Sequence, residues 1–79
     1  MKGNLDAAIA GFRQATTASP NDVRTRCALA GALERKGDLA GALQQYAIAV
    51  KLAPQDPAIR GNYERLAKSY FARNAGSGS

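Results

Sequence analysis

Apolar residues recur every three or four positions in four stretches of the chain. The clearest stretch carries a stripe of six such residues: Leu39, Ala42, Leu43, Tyr46, Ala49 and Val50. This spacing places the side chains on one face of an amphipathic helix. Stripes of the same spacing precede and follow it. The pattern therefore predicts four helices, over residues 4–18, 22–36, 38–52 and 56–73.

Residues that favour the ends of helices stand at the predicted boundaries. Asp22 and Asp56 precede the second and fourth stripes, where an aspartate accepts hydrogen bonds from the first free backbone N–H groups of a helix. Pro57 follows at the first helical position, where its missing N–H costs nothing. Gly37 follows the second stretch and favours the left-handed conformation that ends many helices. These residues indicate the same four helices as the apolar pattern.

Two segments, residues 3–22 and 37–56, align with each other at an offset of 34 residues. Six of their 20 aligned positions are identical: Gly3/Gly37, Leu5/Leu39, Ala8/Ala42, Ala15/Ala49, Pro20/Pro54 and Asp22/Asp56. The same offset relates Arg26 to Arg60. A period of this length is typical of arrays of helical hairpins.

The chain resembles the tetratricopeptide repeat family at the residues that this period aligns. Small, apolar and aromatic residues, with a closing proline, occupy the family's characteristic positions: Leu29, Ala30, Leu33, Ala42, Tyr46, Ala49 and Pro54. Arg26 and Arg60 stand where the family prefers tryptophan, and Glu64 replaces a small residue. The resemblance implies an all-α fold of antiparallel helix-turn-helix repeats. Residues 23–56 would form one full repeat, 3–22 the second helix of a preceding repeat, and 57–73 a following first helix or a cap.

The resemblance also implies a function, because such modules bind a peptide of another protein on the concave face of their first helices. Carried over by position, the binding residues would be Arg24, Cys27, Gly31, Arg35, Gly61, Asn62, Arg65 and Lys68. Cations among small residues suit a ligand that is acidic or ends in a free carboxylate. The family's lysine and asparagine clamp for C-terminal tails is absent, since Cys27 and Gly31 occupy those places.

The residue types exclude most catalytic chemistry. The chain has no histidine and one cysteine, so it lacks a Ser-His-Asp or Cys-His nucleophile, a His/Cys zinc site and an internal disulfide. It also lacks a phosphate-binding glycine loop and a calcium-loop pattern. We therefore expect no enzymatic activity, no metal and no cofactor.

The single thiol, Cys27, has two interpretations. Arg24 and Arg26 lie nearby in sequence and would lower its pKa, as in a redox sensor or nucleophile. A small helix residue that happens to be cysteine is the interpretation we favour, because the chain offers no base and no resolving cysteine.

Self-association is the main alternative function. Seventeen alanines make a thin core, and the first helix has no partner helix before it. Leu5, Ile9 and Phe12 would then form an uncovered edge. Either the chain is a fragment of a longer array, or copies pair as a homo-oligomer through this edge, with a helix exchange across Ser19-Pro20-Asn21 as one route.

Charge and length bear on other partners. The net charge of +5 is compatible with nucleic acid, but the aromatic residues lie in the apolar stripes and no basic helix is interleaved with them, so nucleic-acid binding ranks last.

No stretch is long and apolar enough to insert in a membrane, and no signal-peptide pattern opens the chain. The compartment stays undetermined, with the cytoplasm slightly favoured. Residues 1–73 form the predicted module, and 74–79 have the composition of a flexible expression linker.

Overall fold

Four helices form the protein in a computed structural model, which describes residues 2–78, with side chains described for residues 4–73. They are α1 (Lys2–Ala18), α2 (Val23–Lys36), α3 (Leu39–Leu52) and α4 (Pro57–Gly78). The predicted all-α fold is confirmed. The fourth helix was predicted to end at residue 73, whereas α4 continues to Gly78, with no proline to interrupt it. Ser79 lies outside the described residues.

The helix ends are fixed by the side chains that the sequence indicated, with one addition. An oxygen of Asp22 accepts from the backbone N–H of Arg24, and Asp56 caps α4 in the same way. Gly37 adopts φ 97°, the left-handed region, and so ends α2. Asp38 was predicted to be the first residue of the third helix. It instead caps α3, its carboxylate accepting from Gly41 N–H at 2.9 Å.

The core lies where each helix packs against the next one along the chain. It consists of buried alanines and larger apolar residues from all four helices: Ile9, Leu29, Ala30, Ala32, Leu33, Ala42, Tyr46, Ala49, Ile59 and Leu66. Ala30 on α2 and Ala42 on α3 have no exposed surface at all. Because alanine projects so little, the two backbones can approach closely.

The two arginines that replace tryptophan have matching roles. The Arg26 guanidinium donates to the carbonyl of Pro20 at 3.0 Å, and Arg60 donates to the carbonyl of Pro54. In both cases the acceptor lies six residues earlier, in the turn that precedes the helix. The 34-residue repeat is therefore a repeat of contacts as well as of residue types.

The face of α1 that was expected to be uncovered is turned towards the core. Ile9 is 7% exposed and belongs to the hydrophobic core, and Leu5 and Phe12 are half-buried against it. α1 packs against α2, and this face of α1 lies against the core at that contact. The prediction that Leu5, Ile9 and Phe12 form an open edge is therefore wrong.

Candidate functional site

The predicted binding residues lie on α2 and α4, which an ion pair joins. Arg65 on α4 donates two hydrogen bonds to Glu34 on α2, one from each terminal nitrogen, at 2.8 and 3.2 Å. A bidentate pair of this kind fixes the guanidinium plane against the carboxylate plane. The surface that these two helices present around the pair is called the α2–α4 surface below.

The pKa values of the pair shift in the directions that mutual stabilisation requires. The hydrogen bonds from Arg65 lower the pKa of Glu34, and Glu34 in turn raises the pKa of Arg65. Tyr46 of α3 is buried near enough to the pair for the charges of Glu34 and Arg65 to act on its phenol. Burial, and next the charge of Glu34, raise the pKa of the Tyr46 phenol. The pair therefore sits above the core while both its side chains keep contact with solvent.

We expect Glu34→Gln to lower the free energy of unfolding by about 0.5 kcal/mol near neutral pH, because solvent screens an exposed pair. Because the folded-state pKa of Glu34 is depressed, the pair's contribution is present above the unfolded-state value of about 4.3. It is lost as the pH falls through the folded-state pKa. Urea unfolding of both proteins should show a difference at about pH 7 that shrinks at about pH 3. An equal difference at both pH values would mean that the ion pair is not its source.

Three other predicted residues present polar groups to solvent. The Arg24 side chain is 94% exposed, with its Nε atom 3.8 Å from the capping carboxylate of Asp22. Asn62 and Lys68 on α4 are exposed as well. These side chains can reach a partner without displacing any part of the core.

Two glycines leave open space on the helices that form the surface. A Cβ atom added to Gly31 on α2 or to Gly61 on α4 would meet nothing within 4 Å. Gly61 also borders a depression of about 460 Å³ that extends over the turn between α3 and α4. A partner's backbone could therefore approach either helix closely.

The structure bears on the two interpretations of Cys27, a reactive thiol or a small packing residue. Its thiol is half-buried and packs against the core. Burial, and then the charge of Asp56, raise the pKa of Cys27. Arg26 does not activate the thiol, because its guanidinium is bound to Pro20 and Gln45. A raised pKa makes the thiolate scarce, which favours the interpretation of Cys27 as a packing residue.

Arg35 lies apart from the other predicted residues. It lines a depression of about 290 Å³ with Leu5, Asp6 and Lys36, between α1 and α2. Lys36 and Asp6 form an ion pair there at 2.8 Å. The carry-over by position placed Arg35 with the groove, whereas the packing of α1 beside it gives it a different neighbourhood.

Sequence reasoning missed the partner of Arg65. Glu34 is 31 residues away along the chain, too far for any local pairing rule. Gln45 was missed too, although it accepts a hydrogen bond from Arg26 at 3.0 Å. The sequence carried a usable signal only for the two arginines: Arg26 and Arg60 align in the 34-residue repeat, which indicates that they have equivalent roles.

The described residues offer neither a metal site nor a membrane-spanning helix. In the part of the chain that the structure describes, no group of three side chains could hold a metal ion. None of the helices there is long and apolar enough to cross a membrane.

Comparison with known proteins agrees with the helix architecture. A family model described as tetratricopeptide repeat matches residues 1–66, which include α1 to α3 and the start of α4. The curated proteins that were compared give no match. Repeats of this kind are typically non-catalytic modules for protein–protein interaction. With its helical period, its matched residues and its packing in agreement, the chain belongs to the tetratricopeptide repeat family.

Proposed function

We propose that the protein is a non-enzymatic module that binds a peptide segment of a partner protein on the α2–α4 surface, and that this segment is acidic or ends in a free carboxylate. The observation that carries the proposal is the placement of three cations on these two helices. Arg24, Arg65 and Lys68 are exposed there; Asp22 lies 3.8 Å from Arg24, and Glu34 pairs with Arg65. An excess of positive charge on one face favours a negative ligand.

Close approach of the ligand backbone is the second element of the proposal. Gly31 and Gly61 lack the Cβ atoms that would otherwise hold a peptide away from the helices. The side-chain amide of Asn62 can both donate to and accept from a peptide group. Hydrogen bonds to the ligand backbone would give affinity, and the cations would select for carboxylates.

Arg65 would bind the ligand by exchanging the carboxylate of Glu34 for a carboxylate of the peptide. Its guanidinium already holds one carboxylate in a bidentate geometry, that of Glu34. A ligand carboxylate can take the place of Glu34 without a change of the guanidinium position, since both offer the same planar acceptor pair. Part of the binding free energy is then spent on breaking the existing pair. Removing the Glu34 charge should therefore strengthen binding.

The test selects ligands from a displayed library of random peptides with free C-termini. The wild-type protein should enrich acidic peptides, and Arg24→Glu with Lys68→Glu should weaken their binding strongly. Losing one exposed charge contact costs about 0.5 to 1 kcal/mol, and reversing the charge adds a repulsion of similar size, so two reversals cost about 2 kcal/mol or more, which is a loss of about thirtyfold or more in affinity. Glu34→Gln should raise the affinity for the same peptides.

The matched control reverses two exposed cations elsewhere, with Arg13→Glu on α1 and Lys51→Glu on α3. It changes the net charge equally but leaves the α2–α4 surface intact. Equal losses in the two double variants would mean that net charge alone attracts the peptides. Loss in the control but not in the surface variant would place the binding site elsewhere.

A further inference from the structure

The helices α1 and α4 correspond to the two halves of one repeat. The 34-residue offset relates α1 to α3 and α2 to α4, and the matching contacts of Arg26 and Arg60 show that α2 and α4 are equivalent in structure. Each repeat consists of a first and a second helix, which α2 and α3 form here. By this alignment α1 is the second helix of a repeat, and α4 is the first helix of another. The interface between α2 and α3 shows how a first and a second helix pack in this protein.

One face of α1 lacks the cover that its counterpart on α3 receives. Ala42 and Ala49 of α3 are fully buried, whereas the aligned Ala8 and Ala15 of α1 are half-buried. Gln45 of α3 bonds to Arg26 of α2, and its counterpart on α1 is Gly11, which is exposed. A Cβ atom at Gly11 would meet nothing within 4 Å. Within the described residues, this face of α1 is thus the one that a first helix would cover.

The matching face of α4 is open as well. Ala30 and Leu33 of α2 are 0% and 2% exposed, whereas the aligned Glu64 is exposed and Ala67 is half-buried. Phe71 follows on the same side of α4, one turn after Ala67, and is 62% exposed. A phenylalanine this accessible, with its ring edge against Tyr70, leaves apolar area that a partner could cover.

We propose that the occupant of both faces is a second copy of this chain, stacked head to tail, with α4 of one copy packed on the open face of α1 of the next. The contact would continue the α2–α3 type of packing across the boundary between copies, with Phe71 near the start of the neighbouring α1. Because the two faces differ, such a contact is heterologous and leaves one α1 and one α4 free at the ends of each assembly. Chains would therefore grow rather than stop at dimers.

Glu64 limits this association. It takes the place of Ala30, which is fully buried against α3. In the stack its carboxylate would face the small residues of the neighbouring α1, which offer it no cation. Burying an unpaired charge is strongly unfavourable. The wild-type stack is consequently weak, and Glu64→Ala should tighten it by about tenfold or more.

The experiment measures molar mass by sedimentation equilibrium up to millimolar concentration. The mass of the wild-type protein should rise with concentration, and Glu64→Ala should move that rise to lower concentration. Asp6→Ala removes the same charge at an exposed site that faces Lys36, and it should leave the curve unchanged. If neither wild type nor Glu64→Ala exceeds the monomer mass, the proposal is overturned.

Two blocking variants distinguish head-to-tail stacking from two-fold pairing, both made in the Glu64→Ala background. Gly11→Glu blocks α1 and Phe71→Glu blocks α4, each at a position with room for the side chain or already exposed. Each variant alone should stay monomeric, and an equal mixture should form a 1:1 dimer. Gln44→Glu on the exposed side of α3 is the charge-matched control and should still stack. A blocking variant that dimerises by itself would overturn the head-to-tail arrangement.

Discussion

Leu29→Ala is expected to destabilise the protein by about 3 kcal/mol, enough to remove a large part of the stability of a module this small. Leu29 is 1% exposed and lies in the core cluster between α1, α2 and α3. The substitution removes buried apolar area and leaves a cavity. Ala30, Ala32 and Ala42 lie in the same cluster, and side chains this short cannot fill the cavity. Urea unfolding followed by circular dichroism measures the change.

Leu52→Ala is the matched control for Leu29→Ala. Leu52 is half-buried at the end of α3 and stands outside the core cluster. The same atoms are deleted there, but solvent already reaches the side chain, so we expect a loss of about 1 kcal/mol. Equal losses at the two positions would contradict the placement of the core around Leu29.

Ala42→Leu is expected to destabilise the protein by about 2 kcal/mol, although leucine is as good a helix former as most residues. Ala42 is fully buried on α3, where α2 approaches. A longer side chain at this position must push the two helices apart or adopt a strained rotamer. The free energy of unfolding in urea reports the loss.

Ala40→Leu tests whether that loss comes from packing. Ala40 lies two residues before Ala42 on the same helix and is exposed. We expect a change within about 0.5 kcal/mol, as for other surface substitutions. Ala8→Leu, at the aligned but half-buried position of α1, should fall between the two. A loss at Ala40 as large as that at Ala42 would show that propensity, and not helix approach, explains the alanines.

The sequence predicted the elements of the fold closely because their signals are local. Asp22 and Asp56 cap the helices that follow them, and Gly37 ends α2 in the left-handed conformation. Asp38 was placed one position inside a helix because aspartate, leucine and alanine in succession give no sharp boundary. Local signals placed the ends of α2 and α3 to within a residue, whereas the end of α4, where the sequence offers no such signal, was placed five residues too early.

The errors concern which neighbour a side chain meets. The spacing of Leu5, Ile9 and Phe12 shows that they share a face, but it does not say whether that face turns towards α2 or away from it. In the structure it turns towards α2, and the open face of α1 is the small-residue side at Gly11. Only packing decides this, since both arrangements obey the same period.

The candidate site was predictable in position and less so in chemistry. The repeat alignment put Arg65 and Lys68 on the surface with Arg24. It could not show that Arg65 is already paired with Glu34, or that Arg35 belongs to the α1 side of α2. Contacts between residues about 30 positions apart depend on the relative rotation of helices, which a single sequence does not encode locally.

The most direct test of the α2–α4 surface is a map of backbone amide shifts by nuclear magnetic resonance. The labelled protein is titrated with the most enriched acidic peptide, at a protein concentration low enough to keep the copies apart. We predict shifts at Arg24, Gly31, Asn62 and Lys68, with little change at Gln44 and Lys51 on α3. Shifts confined to α1 and α3, with α2 and α4 unmoved, would contradict the account.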